Sequence, residues 1–151
     1  MELDWENLGF EYLATNCFIK VEYQDGAWGH PVSSNDHTLN LPIASNVFHY
    51  GQACFEGLKA FRTQGGDVVM FRPEEHAKRM QASAERICMQ APPIDLFMRL
   101  CIDAVKQNME YVPPYGTGAS LYIRPTLIGS QPMVGVNPSD SYIFFVFVTP
   151  V

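Results

Sequence analysis

Basic residues are scarce in this chain of 151 residues: ten Lys and Arg stand against sixteen Asp and Glu, for a formal net charge of −6. No segment clusters the basic residues. Nucleic-acid binding draws its affinity from basic contacts to phosphate, so that class is excluded. A small anion site built from a few arginines is not. Long apolar runs are missing as well. Nothing approaches the ~20 residues needed to span a bilayer, so no membrane partner is expected. Cysteine is sparse and irregular, at Cys17, Cys54, Cys88 and Cys101, with no CxxC and no Cys/His pair at zinc spacing. His30, His37, His49 and His76 form no metal-like group, so no metal is expected; His49, beside Tyr50, reads as structural. Reduced thiols and an acidic opening, MELDWENLGF, without a signal-peptide core give a cytoplasmic expectation. GxSxG, P-loop and dinucleotide fingerprints are absent.

What remains is a globular composition, 47% apolar and 17% charged, in a chain of one-domain size that can bury a real core. CFIKVEYQDGAWG reads as a hairpin turning at Asp25-Gly26. PVSSNDHTLNLP reads as a loop with a short strand at its end. CFEGLKAFR and DVVMFR, joined by a segment that ends in two glycines, read as a second hairpin. A helix is predicted over 73–90, with Pro73 at its first position, Glu74 and Glu75 in its first turn, and Ala77, Met80, Ala84 and Ile87 as its apolar stripe. A second helix is predicted over 94–109, with Phe97, Leu100, Cys101, Ala104, Val105 and Met109 inward, and VPPYGTG stops it. ASLYIRPTLIG and SYIFFVFVTPV are strands. The order predicts an α+β fold, a mainly antiparallel sheet with two helices packed on it. The continuous apolar run FFVFV predicts a strand covered on both faces.

Three stretches could carry chemistry. In CFEGLKAF, strand alternation puts Phe55, Gly57, Lys59 and Phe61 on one face and Glu56, Leu58 and Ala60 on the other. Gly57 marks either a tight packing contact or close approach by a ligand. Gly51 fits a turn. Arg79 lies beside the stripe of the first helix, with Arg72 and Arg86 seven residues to either side; each is either a solvated charge or a fork for phosphate or carboxylate. In SLYIRP, Tyr122 and Arg124 share a strand face opposite Leu121 and Ile123. They form either an exposed pair or a donor and fork for a substrate carboxylate. Pro125 removes a ladder donor and predicts that this pair lies near a strand end or edge. Lys59 is a candidate for covalent chemistry by position alone.

These stretches, with DWENLGFEY, DGAWG, HYGQACFEGLKAFR, FRPEEHAKRM, PPYGTGASLYIRPTLIG and VGVNPS in this order, resemble the N-terminal half of branched-chain amino-acid aminotransferases. These belong to the class IV, or fold type IV, pyridoxal-phosphate enzymes. The resemblance implies that Arg79 binds the cofactor phosphate and that Tyr122 and Arg124 line the substrate site and receive a carboxylate. It implies that Phe55 and Gly57 lie beside the substrate side chain and cofactor. It further implies that Tyr50 and the loop Val134-Gly135-Val136 are lent across a homodimer interface, and that Phe10 covers the apolar pocket. The implied substrates are Leu, Ile and Val, with glutamate and the 2-oxo acids as partners.

The family's catalytic lysine belongs to a second, C-terminal domain, and Lys59 is not its position. The resemblance therefore implies that residues 1–151 are the small N-terminal domain, that no catalytic residue lies in them, that the isolated chain does not transaminate, and that it binds no pyridoxal phosphate covalently. The alternative is a noncatalytic α+β module for dimerisation or small-molecule binding.

Overall fold

The computed structural model describes residues 3–151. In chain order it contains β1 (Phe18–Gln24), β2 (Ala27–Trp28), β3 (Val32–Ser34), α1 (Asn46–Tyr50), β4 (Ala53–Phe55), β5 (Leu58–Arg62), β6 (Val68–Met70), α2 (Pro73–Arg86), α3 (Ile94–Gln107), β7 (Leu121–Gly129) and β8 (Tyr142–Pro150). The strands form one sheet in the order β2-β1-β8-β7-β5-β6, with β3 also paired to β1 and β4 to β7. Every pairing is antiparallel. The two long β-rich stretches, β7 and β8, pair along their whole length at the centre. No helix among the described residues is long and apolar enough to cross a membrane.

Alternation gives the sheet one face that is apolar except at Glu56. Ile19, Val21, Leu58, Ala60, Leu121, Ile123, Leu127, Phe144, Val146 and Val148 are all buried on it. Ala77, Met80 and Ala84 of α2 and Phe97, Leu100, Cys101 and Ala104 of α3 complete the same cluster. Phe97 stacks on Phe144 with ring centroids 5.8 Å apart. Buried Asn108 then ties the end of α3 to the start of β1: its side chain donates to the Ala104 carbonyl at 2.8 Å and the Cys17 carbonyl at 3.0 Å, and accepts from the Cys17 N–H at 3.3 Å. This is the α+β layer that the element order predicts.

The opposite face is covered only in part. Residues 10–15 cross it as a strap, held by the Leu13 N–H on Thr149 Oγ1 at 3.2 Å and by Thr15 Oγ1 on the Val148 carbonyl at 3.3 Å. The Tyr12 hydroxyl meets His37 Nδ1 at 2.8 Å, and Tyr12 stands edge-on to Phe147. FFVFV is thus covered unequally. Phe144, Val146 and Val148 are buried under helices, whereas Phe145 and Phe147 are half-buried and line a cavity of about 310 Å³ with Tyr12, Phe18, His37 and Leu39.

The structure corrects several local expectations. The polar stretch 31–42 has its strand at the start, as β3, where pairing with β1 is available. α2 ends at Arg86, because Cys88 takes a left-handed conformation; Ile87 falls past the last turn and is 38% exposed. α3 stops at Gln107, and Met109 opens a single 3₁₀ turn that leaves it exposed. Arg72 is the left-handed residue that precedes α2, not a member of its face. Short α1, ended by left-handed Gly51, has no apolar periodicity long enough to announce it.

Pro125 lies in mid-strand rather than at an end or edge. Its register partner on β8 is Val146, while on its other side its carbonyl accepts from the Glu56 N–H at 2.9 Å. Leu58 pairs with Ile123 and Phe55 with Thr126, so the register runs unbroken through Glu56 and Gly57. Pro125 has no N–H to return, and the missing ladder bond splits the predicted strand into β4 and β5. The device expected to mark an edge instead loosens the sheet at Glu56 and Gly57.

Candidate active site

Six of the residues singled out by sequence meet on the outer face of the sheet: Phe10, Phe55, Gly57, Lys59, Tyr122 and Arg124. β7 turns Tyr122 and Arg124 away from the helices, because Leu121 and Ile123 occupy the core. Arg124 Nε donates to the Tyr122 hydroxyl at 3.0 Å. The guanidinium carbon lies 4.3 Å from the centroid of the Phe55 ring and 5.1 Å from that of Tyr122. Two aromatic faces and one hydrogen bond therefore fix the plane of the guanidinium. Its terminal nitrogens make no hydrogen bond among the described residues, so that edge of the fork can take a carboxylate bidentately. Phe10 stands edge-on to Tyr122, centroids 5.9 Å apart, and Lys59 Nζ lies 5.9 Å from the Phe10 ring. Phe10 is 77% exposed and Phe55 60%. Such large apolar side chains left in water beside a charged fork make a place for an amphipathic acid.

Gly57 is explained by Tyr122. A Cβ placed on it would stand 2.4 Å from the Tyr122 hydroxyl oxygen and 3.0 Å from the ring carbon that bears it. Only glycine admits the tyrosine ring at that spot. The tight packing contact read from sequence is present, and the group that approaches is the Tyr122 ring.

Arg79 lies on the other side of the strand, against Glu56. Glu56 lies between Phe55 and Gly57 but points inward, where it is 4% exposed. It takes Arg79 Nε at 2.7 Å and Arg79 Nη2 at 2.6 Å, and His76 Nδ1 at 2.9 Å. Burial pushes the Glu56 carboxyl pKa upward, but the hydrogen bonds and charge of Arg79 and His76 outweigh it and hold the carboxyl below its ordinary value. The Arg79 side chain stays 65% exposed beyond this pair. Sequence reasoning missed Glu56 and His76. The signal was present: an acid in phase with Leu58 and Ala60 must find a buried partner, and His76 and Arg79 are one helical turn apart.

Tyr50, Val134, Gly135 and Val136 form a second group near the far end of β7. The Tyr50 hydroxyl donates to the Val134 carbonyl. The loop is anchored by the Met133 N–H on the Ala44 carbonyl at 3.0 Å, Asn46 Nδ2 on the Asn137 carbonyl at 3.0 Å, and the Ser139 N–H on Gln52 Oε1 at 3.0 Å. Ile43, Phe48, Val134 and Val136 all stand exposed around it, with Val134 88% exposed. Within one chain this apolar patch is separate from the Tyr122–Arg124 group.

The thiols stand apart from this chemistry. All four cysteines are free, and burial and then the Glu56 charge push the Cys54 thiol up to about 11, so it stays protonated. Among the described residues no group of His, Cys, Asp and Glu is placed to hold a metal ion. His49 is structural: its Nε2 is 2.7 Å from the Ile43 carbonyl.

No protein-family model matches the chain. Curated proteins do. It is 46% identical over 149 residues to a branched-chain-amino-acid aminotransferase of Helicobacter pylori, and 45% identical over 150 residues to one of Haemophilus influenzae; each match covers 99% of this chain and 44% of the relative. A branched-chain-amino-acid transaminase of Bacillus subtilis is 42% identical, again with 42% of its length covered. The chain thus spans less than half the length of these relatives. Among solved structures, the branched-chain amino acid aminotransferase of Escherichia coli superposes with a TM-score of 0.68 at 25% identity, over 91% of this chain and 40% of that one. Another branched-chain amino acid aminotransferase, solved in complex with N-(5'-phosphopyridoxyl)-L-glutamate, superposes with a TM-score of 0.58 at 26% identity, over 84% and 40%. By sequence and by fold, this chain is similar to the N-terminal portion of branched-chain aminotransferases.

Proposed function

We propose that this chain is the small N-terminal domain of an enzyme that moves the amino group of Leu, Ile or Val to 2-oxoglutarate with pyridoxal phosphate. The observation that carries the reading is the outer-face cluster, with a guanidinium fork fixed between Phe55 and Tyr122, and Phe10 at its side. Arg124 receives the carboxylate of the amino or oxo acid, and Tyr122 orients that fork. Phe55 and Phe10 give the branched side chain its apolar wall. The same charged edge serves glutamate, whose second carboxylate needs a donor and not a wall.

The residues present fit a phosphate-bearing cofactor. Arg79 keeps Nη1 outside its pair with Glu56, and the side chain is largely in water, so an anion can reach it. Arg79 is the residue that would hold the phosphate group. Pyridoxal phosphate supplies the electron sink for the bond changes at the amino-acid Cα. Lys59 sits beside Tyr122, opposite it in register, yet the proton-moving lysine is assigned to a second domain, in keeping with relatives more than twice as long. The Tyr50 and 134–136 patch is assigned to a homodimer interface, where it would complete the partner's site.

The test joins this chain to the C-terminal portion of the Helicobacter pylori relative. Leucine and 2-oxoglutarate should yield glutamate with the joined parts and not with the chain alone. Borohydride treatment of the chain alone with pyridoxal phosphate should leave Lys59 unmodified by mass spectrometry. Amino transfer by the chain alone would refute the division of labour, and a folded but inert pair would favour a noncatalytic module.

A further inference from the structure

Glu56 is an acid on the apolar face of the sheet, in phase with Leu58 and Ala60 and 4% exposed. A buried carboxylate persists only when its charge and lone pairs are met. Both its oxygens are engaged, one by Arg79 Nε at 2.7 Å and the other by Arg79 Nη2 at 2.6 Å and His76 Nδ1 at 2.9 Å. A carboxylate only accepts, so His76 carries its hydrogen on Nδ1. The contact is fork to fork and consumes one edge of the guanidinium. What it leaves is Nη1, which bonds to nothing among the described residues, on a side chain still 65% exposed. An ordinary helix-face arginine samples many rotamers and must be ordered by whatever it binds. This one is held at its inner edge beforehand and presents its outer edge to water.

We propose that Glu56 is the positioning residue of Arg79. It holds the Nε–Nη2 edge so that Nη1 faces a phosphate monoester, and His76 braces its second oxygen. This rests on the reading of Arg79 as an anion contact. It also gives the one-residue step between the two faces a purpose. Phe55 and Gly57 build the substrate side, while Glu56, between them, orders the anion side through the strand that Pro125 leaves one bond short.

Simple electrostatics and this proposal predict opposite results. Removal of a negative charge beside an anion site should tighten binding on charge alone. If Glu56 acts by positioning, its removal weakens binding. The probe is inorganic phosphate, titrated into the chain and followed on the Arg79 Nε–H resonance by NMR. In the wild type that resonance should be resolved before any phosphate is added, and it should shift to saturation. Glu56→Gln should weaken phosphate about tenfold, the loss expected when the ligand itself must order one rotamer-rich side chain. Glu56→Asp, which keeps the charge but withdraws it by one methylene, should weaken it too and serves if the Gln variant is unfolded. Unchanged or tighter binding in either folded variant overturns the role of Glu56 alone. No saturable shift in the wild type overturns the anion reading of Arg79, and this proposal with it.

Discussion

Phe144→Ala should lower stability by about 3–5 kcal/mol, the range for truncating a fully buried phenylalanine. Phe144 has no exposed surface and stacks on Phe97 of α3. Its strand is central, and its register partners are Val21 on one side and Leu127 on the other. Neighbours fixed by two ladders cannot move inward to fill the space, so most of the cavity persists. Since domains of this size are stable by only about 5–15 kcal/mol, the loss is a large share of the total. Urea unfolding of the chain checks this, with the midpoint reduced and the slope unchanged. Val134→Ala, at a position almost fully in water, should change stability by less than about 0.5 kcal/mol. Equal effects at the two positions would mean that the helix-covered face is not the core.

Gly57→Ala should leave the fold standing and dismantle the site. The added methyl would meet the Tyr122 hydroxyl at 2.4 Å. Backbone strain is not the reason, because Gly57 is not left-handed. The obstacle is the ring, and the ring has room to swing toward solvent. Overpacking of this kind costs about 1–3 kcal/mol, within what a folded domain tolerates. In swinging, Tyr122 abandons Arg124 Nε and its contact with Phe10, and the guanidinium loses the hydrogen bond that orients it. In the joined enzyme the KM for leucine should rise about tenfold or more, the equivalent of roughly 1.4 kcal/mol of lost orientation. A wild-type KM with Tyr122 still over residue 57 would show that the glycine is not what admits the ring.

Much of this was legible in the chain because alternation is a strict signal. Residues 120–124 have large apolar groups on one parity and polar groups on the other, and the structure keeps that phase; residues 55–61 also keep their two faces, with Glu56, Leu58 and Ala60 buried and Phe55, Lys59 and Phe61 exposed. The helix stripes were legible for the same reason as far as Ala84 and Val105. They failed at Ile87 and Met109, where local turn geometry ends the helix and periodicity has nothing to say. Pro125 was misread because its missing donor can face solvent or a neighbouring strand. Which applies depends on the strands that flank β7, β8 on one side and β4 and β5 on the other, and alternation within one strand does not reveal its neighbours. Gly57 carried two readings for a similar reason: the atom above it belongs to Tyr122, far along the chain on another strand. Glu56 and His76 were visible as types but not as a pair, since their meeting depends on how α2 docks against the junction of β4 and β5.

The central claim is that the outer face around Arg124 is the carboxylate-binding half of an aminotransferase site. Steady-state transfer from leucine to 2-oxoglutarate, by this chain joined to the C-terminal portion of the Helicobacter pylori relative, tests it most directly when wild type is compared with Arg124→Gln. The account predicts transfer by the wild-type pair, with KM for both leucine and 2-oxoglutarate raised at least about tenfold by the substitution, the scale of one lost charge-assisted hydrogen bond. Equal kinetics in the two proteins, or no transfer by a folded wild-type pair, would contradict it.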